Sequence, residues 1–295
     1  MRWEDVCSVP ATAIGEEGRA SFREDGYLVL PALLNASQLQ PLRDGLAMRI
    51  EESRTLHEST HLLDLEAGHT PDKPRLRRAA DIDDGHEAFW QLCSNSVLVD
   101  VARDILGPNV RFREAYANMK WAGGGASVKW HQDLAFYPHT NTGTIQFVVA
   151  LEAITEKNGP PLMVQGSHRG PLYSHYDSTG SWLGAADPDE IAHLDLEAPV
   201  EVTGPAGTVS VHHGLTLHGS SQNHSDQSRP VLIITYSAAD AIAYTAPPYR
   251  SSHHGMLVCG SEPGIAHHED LTLILPPDWS GGYTSLFEHQ HDQES

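Results

Sequence analysis

From residue 111 onward the chain breaks into short β-rich segments separated by glycine- and proline-containing turns, and this rhythm restricts its fold more than any other feature. The segments span 111–120, 127–133, 144–152, 162–165, 200–202, 208–212 and 231–238. Many short strands with turn signals between them predict a sandwich or barrel rather than an alternating α/β sheet. The preceding third reads differently. Residues 11–24 tolerate helix, and 26–31 form a short strand closed by Pro31. A helix should then start at Asn35 or Ser37, with Leu39, Leu42, Leu46 and Ile50 as its apolar stripe. Two more helices are predicted, over 87–93 and from about 95. The second buries Leu98, Val101, Ala102 and Ile105 and stops at Gly107-Pro108. Between about 56 and 85 all periodicity disappears, which predicts a long polar loop, either solvated or folded over a substrate. The expected architecture is mainly β with flanking α, in one domain over 1–295. A helix-rich N-terminal layer (1–108) packs on a jelly-roll core (109–245), followed by a C-terminal extension (246–295).

Charge narrows the partners. Nineteen Lys and Arg against thirty-nine Asp and Glu leave −20 at neutral pH. Nucleic acid and anionic membrane both need a basic surface, so neither is expected as a partner. Three widely spaced cysteines, Cys7, Cys93 and Cys259, make no disulfide framework and suit a reducing compartment. With no apolar signal core near Met1 and no run of membrane-spanning length, the expected location is cytoplasmic.

Chemistry concentrates in Trp130-His131-Gln132-Asp133. On a β-strand, side chains two residues apart share a face, so His131 and Asp133 would project together. A second histidine from a later strand would complete two imidazoles and one carboxylate, the set with which non-haem iron(II) oxygenases hold their metal. His218, followed by Gly219 and Ser220, is placed for this, and Arg229 opens the next β-rich run, where it could grip a carboxylate bidentately. Taken alone, a pair such as His131 and Asp133 is more often a hydrogen-bonding pair of a core or surface than a metal site. The adjacent pairs His212-His213, His253-His254 and His267-His268 read as structural or solvent-facing.

In order, these residues resemble the phytanoyl-CoA dioxygenase-like family of iron(II)- and 2-oxoglutarate-dependent oxygenases. The resemblance runs from Phe22-Arg23-Glu24-Asp25-Gly26-Tyr27 through Trp130–Asp133, Asn158-Gly159-Pro160, Gly166-Ser167-His168-Arg169 and His218-Gly219-Ser220 to Arg229. The doubled proline Pro160-Pro161 departs from the family pattern but touches no ligand position. The resemblance implies a cupin-like double-stranded β-helix, with His131, Asp133 and His218 holding iron(II). It further implies Arg229 on the distal carboxylate of 2-oxoglutarate, helped by Ser220, Lys120 and Gln132. The implied reaction consumes O2, turns 2-oxoglutarate into succinate and CO2, and hydroxylates a small-molecule substrate. A non-catalytic jelly-roll binding or regulatory protein and a cupin-type metalloenzyme without a keto acid are the competing readings. The first would be expected to lose a ligand or Arg229. The second usually clusters His-x-His, which is absent near residue 131.

For the substrate, residues 134–141 and 170–177 together with Trp182 offer aromatic and polar side chains close to the ligands. The candidates are Tyr137, His139, Asn141, Tyr173 and Trp182, with core aromatics and surface loop as the plainer alternative. These stretches look like those of family members acting on small polar molecules, including organophosphonates. Natural-product tailoring fits as well, and the acidic balance disfavours acyl-CoA.

Overall fold

The computed structural model describes residues 3–281 and 289–290. Its helices are α1 (Trp3–Val6), α2 (Gly15–Asp25), α3 (Ala36–Ser53), α4 (Ile82–Gly85), α5 (Glu87–Ser94), α6 (Val97–Leu106) and α7 (Pro188–Ile191). The strands are β1 (Tyr27–Leu30), β2 (Leu63–Leu65), β3 (Leu76–Ala79), β4 (Val110–Lys120), β5 (Val128–His131) and β6 (Thr144–Ala150). They continue with β7 (Pro161–Met163), β8 (Val200–Glu201), β9 (Val209–His213), β10 (His218–Ser220), β11 (Arg229–Ala238) and β12 (Leu257–Cys259).

Local chemistry explains the N-terminal elements. Gly26 ends α2 at φ +83°, a left-handed position that glycine enters without penalty, and its N–H closes on the Phe22 carbonyl. α3 begins with a capping box: the Asn35 side chain accepts from the Ser37 and Gln38 amides while Gln38 accepts from the Asn35 amide. Such a cap is worth about 1 kcal/mol. Leu39, Leu42 and Leu46 are buried as the periodicity predicts, and Ile50 packs at the edge of the same cluster. Ser96 caps α6 and Gly107 ends it.

Two antiparallel sheets form the core. The major one runs β1-β9-β6-β11-β4-β3-β2, with β12 also on β4; the minor one runs β5-β10-β7-β8. One face of the major sheet packs Phe112, Phe147, Ile234 and Tyr236 against Phe22, Leu42, Phe89 and Ile105 of the helices. Its other face looks towards the minor sheet, and the functional clefts lie between them.

Three expectations change. The 56–85 stretch is not wholly irregular: it contributes β2, β3 and α4, and β3 pairs with β4. Strands this short carry no readable period. The jelly roll also reaches beyond 109–245, because β1, β2, β3 and β12 all join the major sheet. Finally, β5 stops at His131, and Asp133 opens a 3₁₀ turn ending at Ala135.

The most consequential local feature is a bulge in β4. Thr235 of β11 faces Glu114 and the adjacent Tyr236 faces Phe112, so Arg113 is the extra residue. Before it, Val110 and Phe112 point to the helical core; after it, Ala115, Ala117 and Met119 do. The parity switch turns Glu114, Tyr116, Asn118 and Lys120 toward the inter-sheet space.

Candidate metal centre and its two clefts

His131 and His218 face each other directly across the β5–β10 ladder, with ring centroids 4.1 Å apart. Asp133 Oδ1 lies 3.8 Å from His131 Nε2 and 3.6 Å from His218 Nε2. The three donor atoms thus converge within 4.8 Å. Each imidazole is held by its other nitrogen: His131 Nδ1 is 2.9 Å from the Lys129 carbonyl and His218 Nδ1 2.9 Å from that of Thr216. A carbonyl only accepts, so Nδ1 carries the proton and Nε2 offers its lone pair. Burial pushes both histidines below their ordinary pKa and keeps them neutral, the ligating form. Burial alone would raise Asp133, but its imidazole surroundings, with the hydrogen bond from His212 Nε2 to Oδ2, work against this and hold the carboxylate well below the usual range.

The turn is pinned by its neighbours. Gln132, fully buried, accepts from the Tyr173 amide and donates to the carbonyls of Pro171 and Leu215, while its own amide donates to His175 Nε2. With its side chain spent on the opposite side, Gln132 lines neither cleft. Its work is to fix the two ligand candidates that flank it. Gly219 has a comparable role, because a Cβ there would stand 2.7 Å from the Val128 carbonyl and force β5 and β10 apart.

His212, read from the sequence as structural or solvent-facing, is fully buried on β9. Its Nε2 donates to Asp133 Oδ2 at 3.0 Å, leaving Oδ1 turned to the two imidazoles. His213 takes the other face, near Phe22 and His168. The split across the strand follows the expected alternation, but both rings lie in the interior.

Two clefts open from this centre. The first, about 90 Å3, is lined by Lys120, Ser220 and Arg229 among apolar side chains such as Val148, Met163 and Ile233. Arg229 stands directly opposite Lys120 in the β11–β4 register. Its guanidinium is buried, forms no ion pair among the described residues, and its Nε has no hydrogen-bond partner there. Burial lowers its pKa to about 10. Burial and Arg229 bring Lys120 down to about 6, and Lys120 Nζ donates to the Ser221 carbonyl. A buried cation without a counter-ion is costly, and an incoming carboxylate would offset that cost here.

The second cleft, about 60 Å3, is lined by Arg78, Glu114, Tyr116, Asn118, Tyr137 and Tyr249 beside His131 and Asp133. Of the five expected substrate residues only Tyr137 lies here. His139 sits behind this wall, its Nδ1 on the Tyr137 carbonyl at 2.5 Å. Asn141 braces a turn through the Gly143 amide and the His267 carbonyl. Tyr173 packs with Ala186, Ile191 and Leu217, and Trp182 with Phe136, His175 and Trp279. Arg78, Glu114, Tyr116, Asn118 and Tyr249 were missed. One signal for three of them was visible: polar Glu114, Tyr116 and Asn118 alternate with Ala115, Ala117 and Met119 inside a buried strand.

The model of the phytanoyl-CoA dioxygenase (PhyH) family matches residues 22–231. The chain belongs to this family. A probable alpha-ketoglutarate-dependent hypophosphite dioxygenase of Stutzerimonas stutzeri is 35% identical over 225 residues, covering 73% of this chain and 76% of that protein. L-proline trans-4-hydroxylase of Streptomyces griseoviridis is 29% identical, covering 75% and 85%. Among solved structures, EctD from S. alaskensis with 2-oxoglutarate and 5-hydroxyectoine superposes with a TM-score of 0.68 at 23% identity, over 91% of this chain and 90% of that one. The cupin-like jelly roll expected from the sequence is therefore the observed fold. As a family member, the protein is an iron(II)- and 2-oxoglutarate-dependent dioxygenase.

The residues present fit both groups. Two neutral imidazoles and an ionised carboxylate, all buried, are a donor set for a divalent transition metal. The orphaned Arg229 guanidinium supplies the complementary charge for a dicarboxylate. Among the described residues, no helix is long and apolar enough to cross a membrane.

Proposed function

We propose that His131, Asp133 and His218 hold iron(II), that Arg229 with Lys120 and Ser220 anchors the distal carboxylate of 2-oxoglutarate, and that a small polar substrate is hydroxylated in the Arg78–Tyr249 cleft. One observation carries this reading: three donors with locked imidazoles open on two clefts, one of them ending in a buried guanidinium without a counter-ion. When bound, iron and 2-oxoglutarate supply the activation of O2, and the protein supplies binding, orientation and exclusion of water. His212 keeps one Asp133 oxygen occupied, so the carboxylate presents the other to the metal. Val148, Met163 and Ile233 keep the cosubstrate wall dry, which strengthens the Arg229 contact. Tyr116, Asn118 and His131 border both clefts, so a molecule in the second lies next to the metal position.

Size favours a compact substrate. A cavity of about 60 Å3 has room for roughly four to six waters, far less than an acyl-CoA. Relatives named for hypophosphite, L-proline and ectoine point the same way. We treat residues 1–295 as one catalytic unit and place it in the cytoplasm, consistent with free Cys7, Cys93 and Cys259. The test is anaerobic addition of iron(II) and 2-oxoglutarate, which should produce a weak visible charge-transfer band. Absence of the band, with no succinate formed in air, would sink the reading. Asp133→Ala should lose the band by losing iron while keeping the fold; retention of tightly bound iron would refute the ligand set.

A further inference from the structure

The segment that carries His131 and Asp133 is held at both ends by residues from far along the chain. β5 is the end strand of the minor sheet, so one of its edges has no neighbouring strand. There the Lys129 amide donates to Gln290 Oε1 at 2.9 Å. The carbonyl of the same residue is the acceptor that fixes His131 Nδ1, also at 2.9 Å. Past Asp133, the Phe136 amide closes on the Asp133 carbonyl at 2.9 Å, and the Phe136 carbonyl accepts from the Trp279 indole N–H at 3.1 Å. The Phe136 ring meets His131 edge-on, with centroids 5.9 Å apart. One tie therefore acts on the backbone that sets the tautomer and direction of His131, and the other on the turn that presents Asp133.

Neither tie is a surface contact. Gln290 is 1% exposed and Trp279 6%. Gln290 Nε2 also donates to the Gly184 carbonyl at 2.7 Å, and the nearby Ala186 amide donates to the Trp130 carbonyl at 2.8 Å, so this side chain staples β5 to the stretch beside it. The Trp279 ring packs edge-on against Trp182 at 5.9 Å, and Trp182 against Phe136 at 5.3 Å. Breaking either tie would leave a buried donor or acceptor unsatisfied, so each backbone group is confined to one position. The family model matches residues 22–231, so both ties come from chain beyond it. Resting on the iron(II)/2-oxoglutarate reading above, we infer that Trp279 and Gln290 are positioning residues of the metal centre. They act through Phe136 and Lys129 and keep His131 and Asp133 at ligating distance from each other. Donors ordered in advance bind a metal more tightly than donors that binding itself must order.

The experiment uses the full chain with Trp279→Phe, which keeps an aromatic ring and removes the N–H, and Gln290→Met, which keeps the length and removes both polar atoms. Iron(II) affinity is read anaerobically by competition with a chelator. Each variant should lose about two- to tenfold, the worth of one buried hydrogen bond, and the double variant about tenfold or more. Without metal, hydrogen exchange of the amides of residues 129–136 should quicken in both variants. At saturating iron(II) and 2-oxoglutarate, the charge-transfer band should shift, a change that lower stability alone does not produce. Ser96→Ala, which removes the α6 cap away from the centre, controls for general destabilisation and should leave iron affinity unchanged. Wild-type affinity in the double variant overturns the proposal. So does unchanged exchange over 129–136, or an equal loss of affinity in Ser96→Ala. Failure of the wild-type protein to bind iron(II) sinks the reading above and this proposal with it, whereas normal wild-type binding with unaffected variants sinks this proposal alone.

Discussion

The two clefts share His131, Tyr116 and Asn118 yet are built in different ways. The cosubstrate wall comes from core strands, with Lys120 and Arg229 facing each other in register and Ser220 two residues beyond His218. The substrate wall is assembled from segments far apart in sequence: Arg78 from β3, Glu114 beyond the β4 bulge, and Tyr249 from the stretch after β11. On the proposed reading, one wall takes the cosubstrate and is tied to the ligand motif, while the other takes the substrate and uses peripheral pieces that can change without disturbing the metal. If this division is physical, perturbations should separate cleanly between the walls.

The largest separable effect belongs to Arg229. Arg229→Leu removes a buried charge partner worth roughly 2–5 kcal/mol, so 2-oxoglutarate affinity should fall by roughly thirtyfold to several thousandfold. Iron affinity should hold, and substrate-side binding should be untouched in protein saturated with 2-oxoglutarate. Calorimetry with each ligand in turn checks this, and a parallel loss of iron would mean that the walls are not independent.

His212 lines the first cleft beside the His218 ring, at 4.2 Å between centroids, while its Nε2 holds the carboxylate between the two clefts. Replacing it by Phe leaves Asp133 Oδ2 without its donor and should cost about 10- to 100-fold in iron affinity. Competition with a chelator measures the change, and unchanged affinity would show that the turn alone orients Asp133.

How much of this was legible follows the same division. The motif residues lie at strand ends where spacing is fixed by the ladder, so His131, Asp133, His218, Lys120, Ser220 and Arg229 could be read in order and are found together. Gln132 sits between the ligand positions, but its side chain is turned to the other side, onto the Pro171 and Leu215 carbonyls. Arg78 lies in the 56–85 stretch read as either solvated or folded over a substrate, but β3 is four residues long and carries no period that would single it out. For Glu114 the bulge set two signals against each other: the parity of Val110 and Phe112 points it at the helices, while its alternation with Ala115, Ala117 and Met119 points it away. Trp182 and Tyr173 were plausible by type alone, and apolar packing claimed both.

Lys120 gives a pH-dependent effect confined to the cosubstrate wall. With its pKa near 6 in the protein against 10.5 when unfolded, the folded state binds fewer protons between those values, so its contribution to stability rises with pH across that window. An arriving carboxylate reverses the preference by favouring the ammonium. At pH 8, 2-oxoglutarate binding should therefore take up as much as about one proton. Calorimetry in buffers of different ionisation enthalpy reads the uptake. It should vanish in Lys120→Met, and its persistence there would assign the proton elsewhere.

The smallest expected effect probes the substrate wall from a distance. His253 Nδ1 lies 3.0 Å from Asp83 Oδ2 and 3.3 Å from Asp84 Oδ1, its ring stacks on Trp90 at 3.8 Å, and the Ser252 amide donates to Asp84 at 2.8 Å. These contacts tie the segment carrying Tyr249 to α4 and α5. His253→Ala removes the contacts to Asp83 and Asp84 and one aromatic stack, together roughly 1–2 kcal/mol of stability. The loosened segment should raise the KM for substrate severalfold through Tyr249 while leaving the KM for 2-oxoglutarate unchanged. Because His253 touches neither cleft, only an asymmetric response shows that the substrate wall depends on this clamp. An equal rise in both KM values would show that the clamp supports the barrel as a whole and that the two walls are one mechanical unit.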